Sequence, residues 1–102
     1  MASLPRSISS FSFAVSGTVQ GVHFRKCTKR YADAHGLTGW CENTSDFLRV
    51  VGAAEGEAAH VASFKTWLRE TGSPKSIITG VVFSDEVEGA PVRAFKGFSI
   101  RR

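Results

Sequence analysis

A short stretch near the amino terminus combines glycines, backbone amides and one arginine at a spacing that suits anion binding. Residues 16–25 read SGTVQGVHFR, in which a strand-like run breaks at Gly17 and Gly21 and Arg25 opens a helix-like run. Glycine lets the main chain approach a ligand closely. The first amides of a helix lack intrahelical partners and lie at the positive end of the helix dipole. Arg25 adds a planar guanidinium that can hold a phosphate or carboxylate through two hydrogen bonds. The pattern therefore predicts an oxyanion cradle.

The other candidate catalytic side chains are few. His23 is the one residue of the loop that could act as a general base, although exposed loop histidines are common. Ser16 and Thr18 have no histidine and carboxylate spaced nearby to activate a hydroxyl nucleophile. Cys27 and Cys41 match no zinc, redox or haem spacing, so we expect two small, half-buried thiols, free unless the fold brings them together. Neither the loop nor the cysteine spacing therefore indicates a metal or redox site.

Composition and charge place the chain among ordinary globular domains. It has 102 residues, enough for one core, with 42% apolar and 22% charged residues. The net charge of +4 includes thirteen lysines and arginines that are scattered singly or in pairs. We therefore expect modest attraction of small anionic ligands and no nucleic-acid partner. No signal-peptide core, membrane-length apolar run or spare apolar stripe is visible, which predicts a cytoplasmic monomer with no membrane partner.

The periodicity of the apolar residues predicts four or five strands and two helices. Alternation marks the strands, and helical spacing marks the helices, the first of which should stop at Gly36. The turn Thr44-Ser45-Asp46 should join two of the strands into a hairpin. The predicted elements are a strand at Ser10–Val19, a helix at Phe24–His35, strands at Leu37–Asn43 and Leu48–Ala54, a helix at Glu57–Thr71, a strand at Ile77–Phe83, a turn-rich connection at Asp85–Pro91 and a last strand at Phe95–Ile100.

The order of these elements predicts an α+β fold. Strand, helix, strand, strand, helix, strand is the βαββαβ order of a ferredoxin-like sandwich. Right-handed crossovers place both helices on one face of an antiparallel sheet of four to five strands. Residues 1–9 are short, polar and contain Pro5, so we expect a flexible amino-terminal tail followed by one domain at residues 10–102.

Two stretches resemble the signatures of the acylphosphatases. Residues 17–25, GTVQGVHFR, closely resemble the first signature. Residues 39–44, GWCENT, resemble the second, in which a glycine, an aromatic and a small apolar residue precede an asparagine. Gly56 and the ending at residues 98–101, FSIR, extend the resemblance over almost all of the chain after the tail. The ferredoxin-like order agrees with the fold of that family.

The resemblance implies a reaction and a role for each matching residue. The reaction is hydrolysis of the carboxyl–phosphate bond of a small acyl phosphate to a carboxylate and inorganic phosphate, without a metal, a cofactor or a phosphoenzyme. Asn43 is implied to orient the attacking water, and Thr44 to steady Asn43 beside the substrate. Arg25 and a run of backbone amides are implied to bind the phosphate, the amides being those of Gln20, Gly21, Val22, His23 and Phe24.

The hairpin turn departs from the family pattern. Phe47 follows Asp46 where the family usually has a glycine, and the interval from Asn43 to Gly56 is longer than usual. We therefore expect a longer loop or a bulge, with Phe47 packed against a helix or the substrate. The departure bears on the orientation of the water rather than on the phosphate cradle.

Two other functions fit part of the pattern. RNA-recognition domains share the sandwich, and residues 96–98, KGF, resemble a fragment of their aromatic signature, but the full run of aromatic residues on a central strand is missing. A non-catalytic domain that binds small anions, as in larger maturation enzymes, has similar signatures, and the length of 102 residues favours the enzyme over it. A glycine-bearing turn with a surface arginine is the simplest alternative for residues 16–25 alone.

Overall fold

The computed structural model describes residues 8–19, 23–46, 48–73 and 75–101. The predictions for residues 1–7, for the amides of Gln20, Gly21 and Val22 and for the packing of Phe47 lie outside these ranges. Seven elements follow one another along the chain: β1 (Ile8–Thr18), α1 (Phe24–Ala34), β2 (Thr38–Asn43), β3 (Arg49–Gly56), α2 (Ala58–Glu70), β4 (Ile77–Ala90) and β5 (Phe98–Ile100). Their order confirms the βαββαβ prediction, with β5 as an additional strand.

β1 is a half-buried strand, as its alternating sequence predicts. Every second residue from Phe11 to Val15 is buried in the core, and the residues between them are only partly covered. The strand begins at Ile8 rather than at Ser10, because Ile8 is itself buried and Ser9 still pairs with β3. β1 consequently lies at the centre of the domain and leads directly into the predicted cradle.

The sheet has five strands in the order β4-β1-β3-β2-β5. β1 is antiparallel to both β3 and β4, and β2 is antiparallel to β3. β5, however, is parallel to β2, with Gly39 opposite Phe98, so the expectation of a wholly antiparallel sheet is wrong for this strand. The end of β4 pairs with the start of β1, which lies at the same end of the sheet as the start of β2. The segment that joins β4 to β5, residues 91–97, crosses the sheet at that end, and β5 must therefore run in the direction of β2.

A buried carboxylate fastens this connection. Glu55 of β3 is only 4% exposed, although a glutamate is rarely buried without partners. Its carboxylate accepts hydrogen bonds from the Thr38 hydroxyl at 2.8 Å and from the amides of Ala94 and Phe95 at 2.9 Å each. The carboxylate satisfies backbone donors that the irregular segment cannot pair within the sheet.

β4 is longer than the sequence predicts. The turn-forming residues of the expected connection at Asp85–Pro91 lie within the strand, which continues to Ala90. Asp85 and Gly89 have positive φ values of 51° and 78°, and the pairing with β1 shifts register near both. Both residues are therefore accommodated by bulges, which an edge strand tolerates.

Both helices lie on one face of the sheet, as predicted. α1 packs over β2 and β5, and α2 packs over β1, β3 and β4. α1 ends as expected at Gly36, whose φ of 67° suits glycine, and the Leu37 amide closes the turn by donating to the Ala32 carbonyl at 2.9 Å. The core between the helices and the sheet is built from Phe11, Phe13, Val15, Val19, Phe24, Ala32, Leu37, Cys41, Val50, Ala54, Val61, Phe64, Leu68 and Phe98.

Candidate active site

The strand directions bring the two signature stretches to one end of the sheet. β1 and β2 are both antiparallel to β3, so they run in the same direction. Val15 near the end of β1 and Asn43 at the end of β2 are both paired with Val50 of β3. α1 begins shortly after β1 at this same end. The predicted anion cradle and the predicted water-orienting residue are therefore neighbours in the fold, although they are far apart in sequence.

The amino terminus of α1 is open to an anion. His23 is its N-cap and adopts a left-handed conformation, with φ 55° and ψ 29°, which is uncommon for a residue with a side chain. Its carbonyl accepts the Cys27 amide at 2.9 Å and so starts the helix. No side chain caps this terminus among the described residues, and the first turn contains no acidic residue. The first amides of α1 are consequently available to an oxyanion, and the strained His23 backbone fixes where the helix begins.

Gly17 lies in β1 against β4, and not in the anion-binding loop that the sequence predicts. It lies within β1, at a shift in register with β4, and has a φ of 129°. A Cβ at this position would lie 2.0 Å from the carbonyl oxygen of Ile77 in β4, too close for any side chain. Gly17 therefore permits the close approach of β4, and its carbonyl accepts the Val19 amide at 3.1 Å as the chain turns out of the strand.

Arg25 is held at this end of the sheet through its main chain. Its carbonyl oxygen lies 3.9 Å from the Cys41 sulfur, whose thiol donates to it. Cys41 and Asn43 are two residues apart on β2 and so face the same side of the sheet, about 6.6 Å apart. The ion pairs of the described residues all involve other cations. The half-buried Arg25 side chain therefore has no carboxylate partner among these residues and can bind an anionic ligand.

The hairpin turn after Asn43 is braced by Thr44. The Thr44 amide donates to the Arg49 carbonyl at 3.0 Å, and the Thr44 hydroxyl accepts the Arg49 amide at 3.2 Å. The same hydroxyl donates to the carboxylate of Asp46, which also accepts the Leu48 amide at 3.0 Å. The hydrogen bond from Thr44, followed by that from Leu48, holds the pKa of Asp46 below its ordinary value. These bonds place the Thr44 hydroxyl within the turn, so any steadying of Asn43 acts through the backbone.

Comparison with known proteins identifies the family. A family model described as acylphosphatase matches residues 11–100, which is most of the chain. The chain belongs to the acylphosphatase family. Acylphosphatases are hydrolases that act on acid anhydrides, and their substrates are acyl phosphates.

Individual acylphosphatases match over nearly the whole chain. Acylphosphatase-1 of Gallus gallus is 45% identical over 93 residues, covering 91% of this chain and 92% of the relative. The crystal structure of the Bacillus subtilis acylphosphatase has a TM-score of 0.79 at 33% identity, covering 92% of this chain and 99% of that one. The structure of a Coxiella burnetii acylphosphatase has a TM-score of 0.82 at 31% identity, covering 99% and 100%. These similarities confirm the predicted family and the ferredoxin-like fold.

Neither cysteine of this acylphosphatase is bonded to the other. Cys27 is half-buried and Cys41 is fully buried, and both are free thiols. Burial raises the pKa of the Cys41 thiol to about 12, although the positive charge of Arg25 acts in the opposite direction. Cys41 is therefore a neutral thiol near the candidate site and not a nucleophile.

This difference between the cysteines predicts a labelling pattern. Treating the folded acylphosphatase with iodoacetamide at pH 8 should modify Cys27 and spare Cys41, because the buried thiol neither ionises nor meets the reagent. Mass spectrometry should find one label per folded chain and two after denaturation in urea. Rapid labelling of Cys41 in the folded protein would contradict the burial of this thiol beside Arg25.

The other two histidines of the chain, His35 and His60, lie away from the candidate site. His35 is the C-cap of α1, and its ring stacks on Tyr31 with centroids 4.0 Å apart. His60 lies near the start of α2, 6.1 Å from the His35 ring and at the opposite end of the helices from Arg25. The described residues contain no group of three or more histidine, cysteine, aspartate or glutamate side chains placed to hold a metal. None of the described helices is long and apolar enough to cross a membrane.

Sequence reasoning missed two features of the candidate site. The left-handed backbone of His23 carries no marker beyond the glycine-rich loop before it, because histidine rarely adopts this conformation. The position of Cys41 beside α1 could have been predicted, because a residue two places before Asn43 on a strand faces the same side of the sheet. The alternation of β2 therefore predicts that Cys41 and Asn43 face the same helix, which is α1.

Proposed function

We propose that this acylphosphatase hydrolyses small acyl phosphates without a metal, with Arg25 and backbone amides binding the phosphate and Asn43 orienting the water. The amides are those predicted from the first signature, from Gln20 to Phe24. The observation that carries the proposal is the open amino terminus of α1, which lies at the same end of the sheet as Asn43 and bears a guanidinium with no carboxylate partner among the described residues. This arrangement concentrates positive charge where a phosphate would sit.

The chemistry of acyl phosphates explains why so few side chains suffice. The transferred phosphoryl group passes through a loose transition state with charge spread over its equatorial oxygens. Water forms a bond to phosphorus while the bond from phosphorus to the acyl oxygen breaks. The leaving carboxylate is stable as an anion, so it needs no acid catalyst. A phosphate oxygen of the substrate can accept the proton that the water loses, and no protein base is required.

Positioning supplies most of the rate enhancement in this scheme. Holding two reactants in line can account for about 7–11 kcal/mol of a barrier. Arg25 and the amides fix the phosphorus, and Asn43 fixes the water by hydrogen bonding. The guanidinium also takes the place of the divalent cation that other phosphoryl-transfer enzymes use to neutralise the equatorial oxygens. The reaction therefore requires no metal ion.

Hydrolysis of benzoyl phosphate in the presence of a chelator tests the proposal. The rate with EDTA should equal the rate with added Mg²⁺, because Arg25 and not a metal neutralises the phosphate. The loss of absorbance as benzoyl phosphate is cleaved gives kcat and KM directly, and inorganic phosphate should inhibit competitively. A rate that EDTA abolishes and Mg²⁺ restores would refute metal independence. No hydrolysis under either condition would favour a non-catalytic domain that binds small anions.

The open face of the sheet supports a small molecule rather than RNA as the partner. The central strands β1 and β3 present Ser12, Ala14, Val51 and Ala53 on this face, none of them aromatic. RNA-recognition domains stack bases on aromatic residues at such positions. We therefore propose that the protein binds no nucleic acid. The cytoplasmic monomer expected from the sequence remains part of the proposal.

A further inference from the structure

We propose that the groove between α1 and the carboxyl-terminal half of α2 receives the acyl part of the substrate and favours aromatic acyl groups. The inference rests on the proposed hydrolysis at the neighbouring phosphate site and adds the class of substrate. The groove has a volume of about 340 Å³ and a mostly apolar lining that includes Cys27, Tyr31, Trp67 and Gly72. This volume is that of a small-molecule site.

The groove begins one helical turn from the phosphate cradle. Cys27 forms part of its α1 wall, and the Cys27 amide donates to the carbonyl of His23, the N-cap. One turn of helix is about 5.4 Å, a distance that a benzoyl group can span and an acetyl group cannot. On the α2 side, Gly72 lies against the ring of Phe24, the first residue of α1. The near end of the groove therefore opens where a phosphate bound to the first amides of α1 would carry its acyl substituent.

The geometry of phosphoryl transfer selects this side of the cradle for the leaving group. The attacking and leaving oxygens lie roughly in line on opposite faces of the phosphorus. Asn43 ends β2, over which α1 packs, whereas the groove lies on the side of α1 that faces α2. A water held by Asn43 consequently expels the carboxylate toward the groove.

The walls of the groove suit a flat aromatic ring. Trp67 stacks on Phe24 and on Tyr31, with ring centroids 5.9 Å and 5.1 Å apart and interplanar angles of 28° and 26°. This stack orders the apolar wall before any ligand arrives, which lowers the entropy cost of binding. Arg30 is exposed at the rim, and Ala34 and His35 complete the lining at the far end of α1. A benzoyl group can lie along this wall, whereas the methyl group of acetyl phosphate is too short to reach it.

A change in selectivity tests the groove. Cys27→Trp fills its near end, and Lys26→Trp places the same bulk on the neighbouring exposed position of α1 outside the groove. Cys27→Trp should lower kcat/KM for benzoyl phosphate relative to acetyl phosphate by about tenfold, mainly through KM, while Lys26→Trp leaves the ratio unchanged. Equal losses with both substrates, or no change in either, would overturn the groove as the acyl site. Hydrolysis of neither substrate by the unaltered enzyme would overturn the proposed function and the groove's role together.

Protection of Cys27 from alkylation tests the same inference without a substitution. Phenacyl phosphonate and acetonyl phosphonate mimic benzoyl and acetyl phosphate, with a methylene group in place of the bridging oxygen. Phenacyl phosphonate at ten times its Kd should slow the labelling of Cys27 by iodoacetamide about tenfold, by mass action, because its ring covers the thiol. Acetonyl phosphonate at the same multiple of its own Kd should give no protection. Equal protection by both, or none by either, would overturn the groove as the site of the acyl group.

Discussion

Arg25→Ala is expected to lower kcat/KM for benzoyl phosphate by about 10³-fold or more, with losses in both KM and kcat. An arginine that stabilises the transferring phosphoryl group contributes about 10³–10⁵ in rate in related chemistry. Arg25 lies in the first turn of α1 with its charge unpaired among the described residues, so its removal leaves only the backbone amides to hold the anion. Steady-state kinetics, together with the inhibition constant of inorganic phosphate, measures both effects.

Two further variants show whether the shape or only the charge of Arg25 matters. Arg25→Lys should remain nearly as impaired as Arg25→Ala, because an ammonium cannot form the paired hydrogen bonds of a guanidinium. Lys26→Ala removes a positive charge from the next residue of α1, which is exposed, and should leave the kinetics near those of the parent enzyme. Thermal unfolding of all three variants separates a loss of function from a loss of fold. A lysine variant with the parent's kcat would refute the bidentate role.

The sequence predicted the elements because their apolar spacing is regular. β1 alternates between buried and partly covered residues, and α1 ends where Gly36 takes a left-handed conformation. Both helices were placed to within about one residue at each end, since burial of one face decides where a helix persists. These features depend on neighbours in the chain, and local periodicity is sufficient to find them.

The parts that escaped prediction depend on contacts distant in sequence. The direction of β5 follows from where the connection after β4 crosses the sheet, and Glu55 secures that connection from a buried position on β3. β4 continues past Asp85 because pairing with β1 outweighs the turn preference of this residue. No local pattern distinguishes a bulge in a paired strand from a turn that ends it.

The sequence named candidate residues for the site, but it did not give their surroundings. Arg25 and Asn43 were named from the two signatures, and the strand directions bring them to one end of the sheet. The sequence assigned Gly17 to the loop, whereas the glycine is required by the approach of β4. The polar residues of the turn at 44–46 did indicate side chains that cap backbone amides, as the bond from the Arg49 amide to the Thr44 hydroxyl confirms. They did not indicate the bond from the Thr44 hydroxyl to the Asp46 carboxylate. Such hydrogen bonds arise only once the turn is closed.

Asn43→Ala is expected to reduce kcat by about 10²–10³ while KM changes little, because removing one preorganised transition-state donor costs about that much. Asn43 ends β2 beside the cradle, and Thr44 fixes the turn that follows it, so the backbone should survive the truncation. Removing a residue that acts on the water and not on the substrate slows the chemical step and leaves substrate binding unchanged. Single-turnover kinetics with benzoyl phosphate would measure the chemical step separately from substrate binding.

Glu42→Ala provides the matched control for this truncation. Glu42 precedes Asn43 on β2 and faces the opposite side of the sheet, away from α1, so its loss should leave kcat unchanged. Asn43→Asp keeps the size of the side chain but places a negative charge beside the phosphate, and it should raise KM as well as lower kcat. Parent-level turnover in Asn43→Ala would remove Asn43 from the reaction. The open terminus of α1 and Arg25 would then have to act on a water positioned by another group.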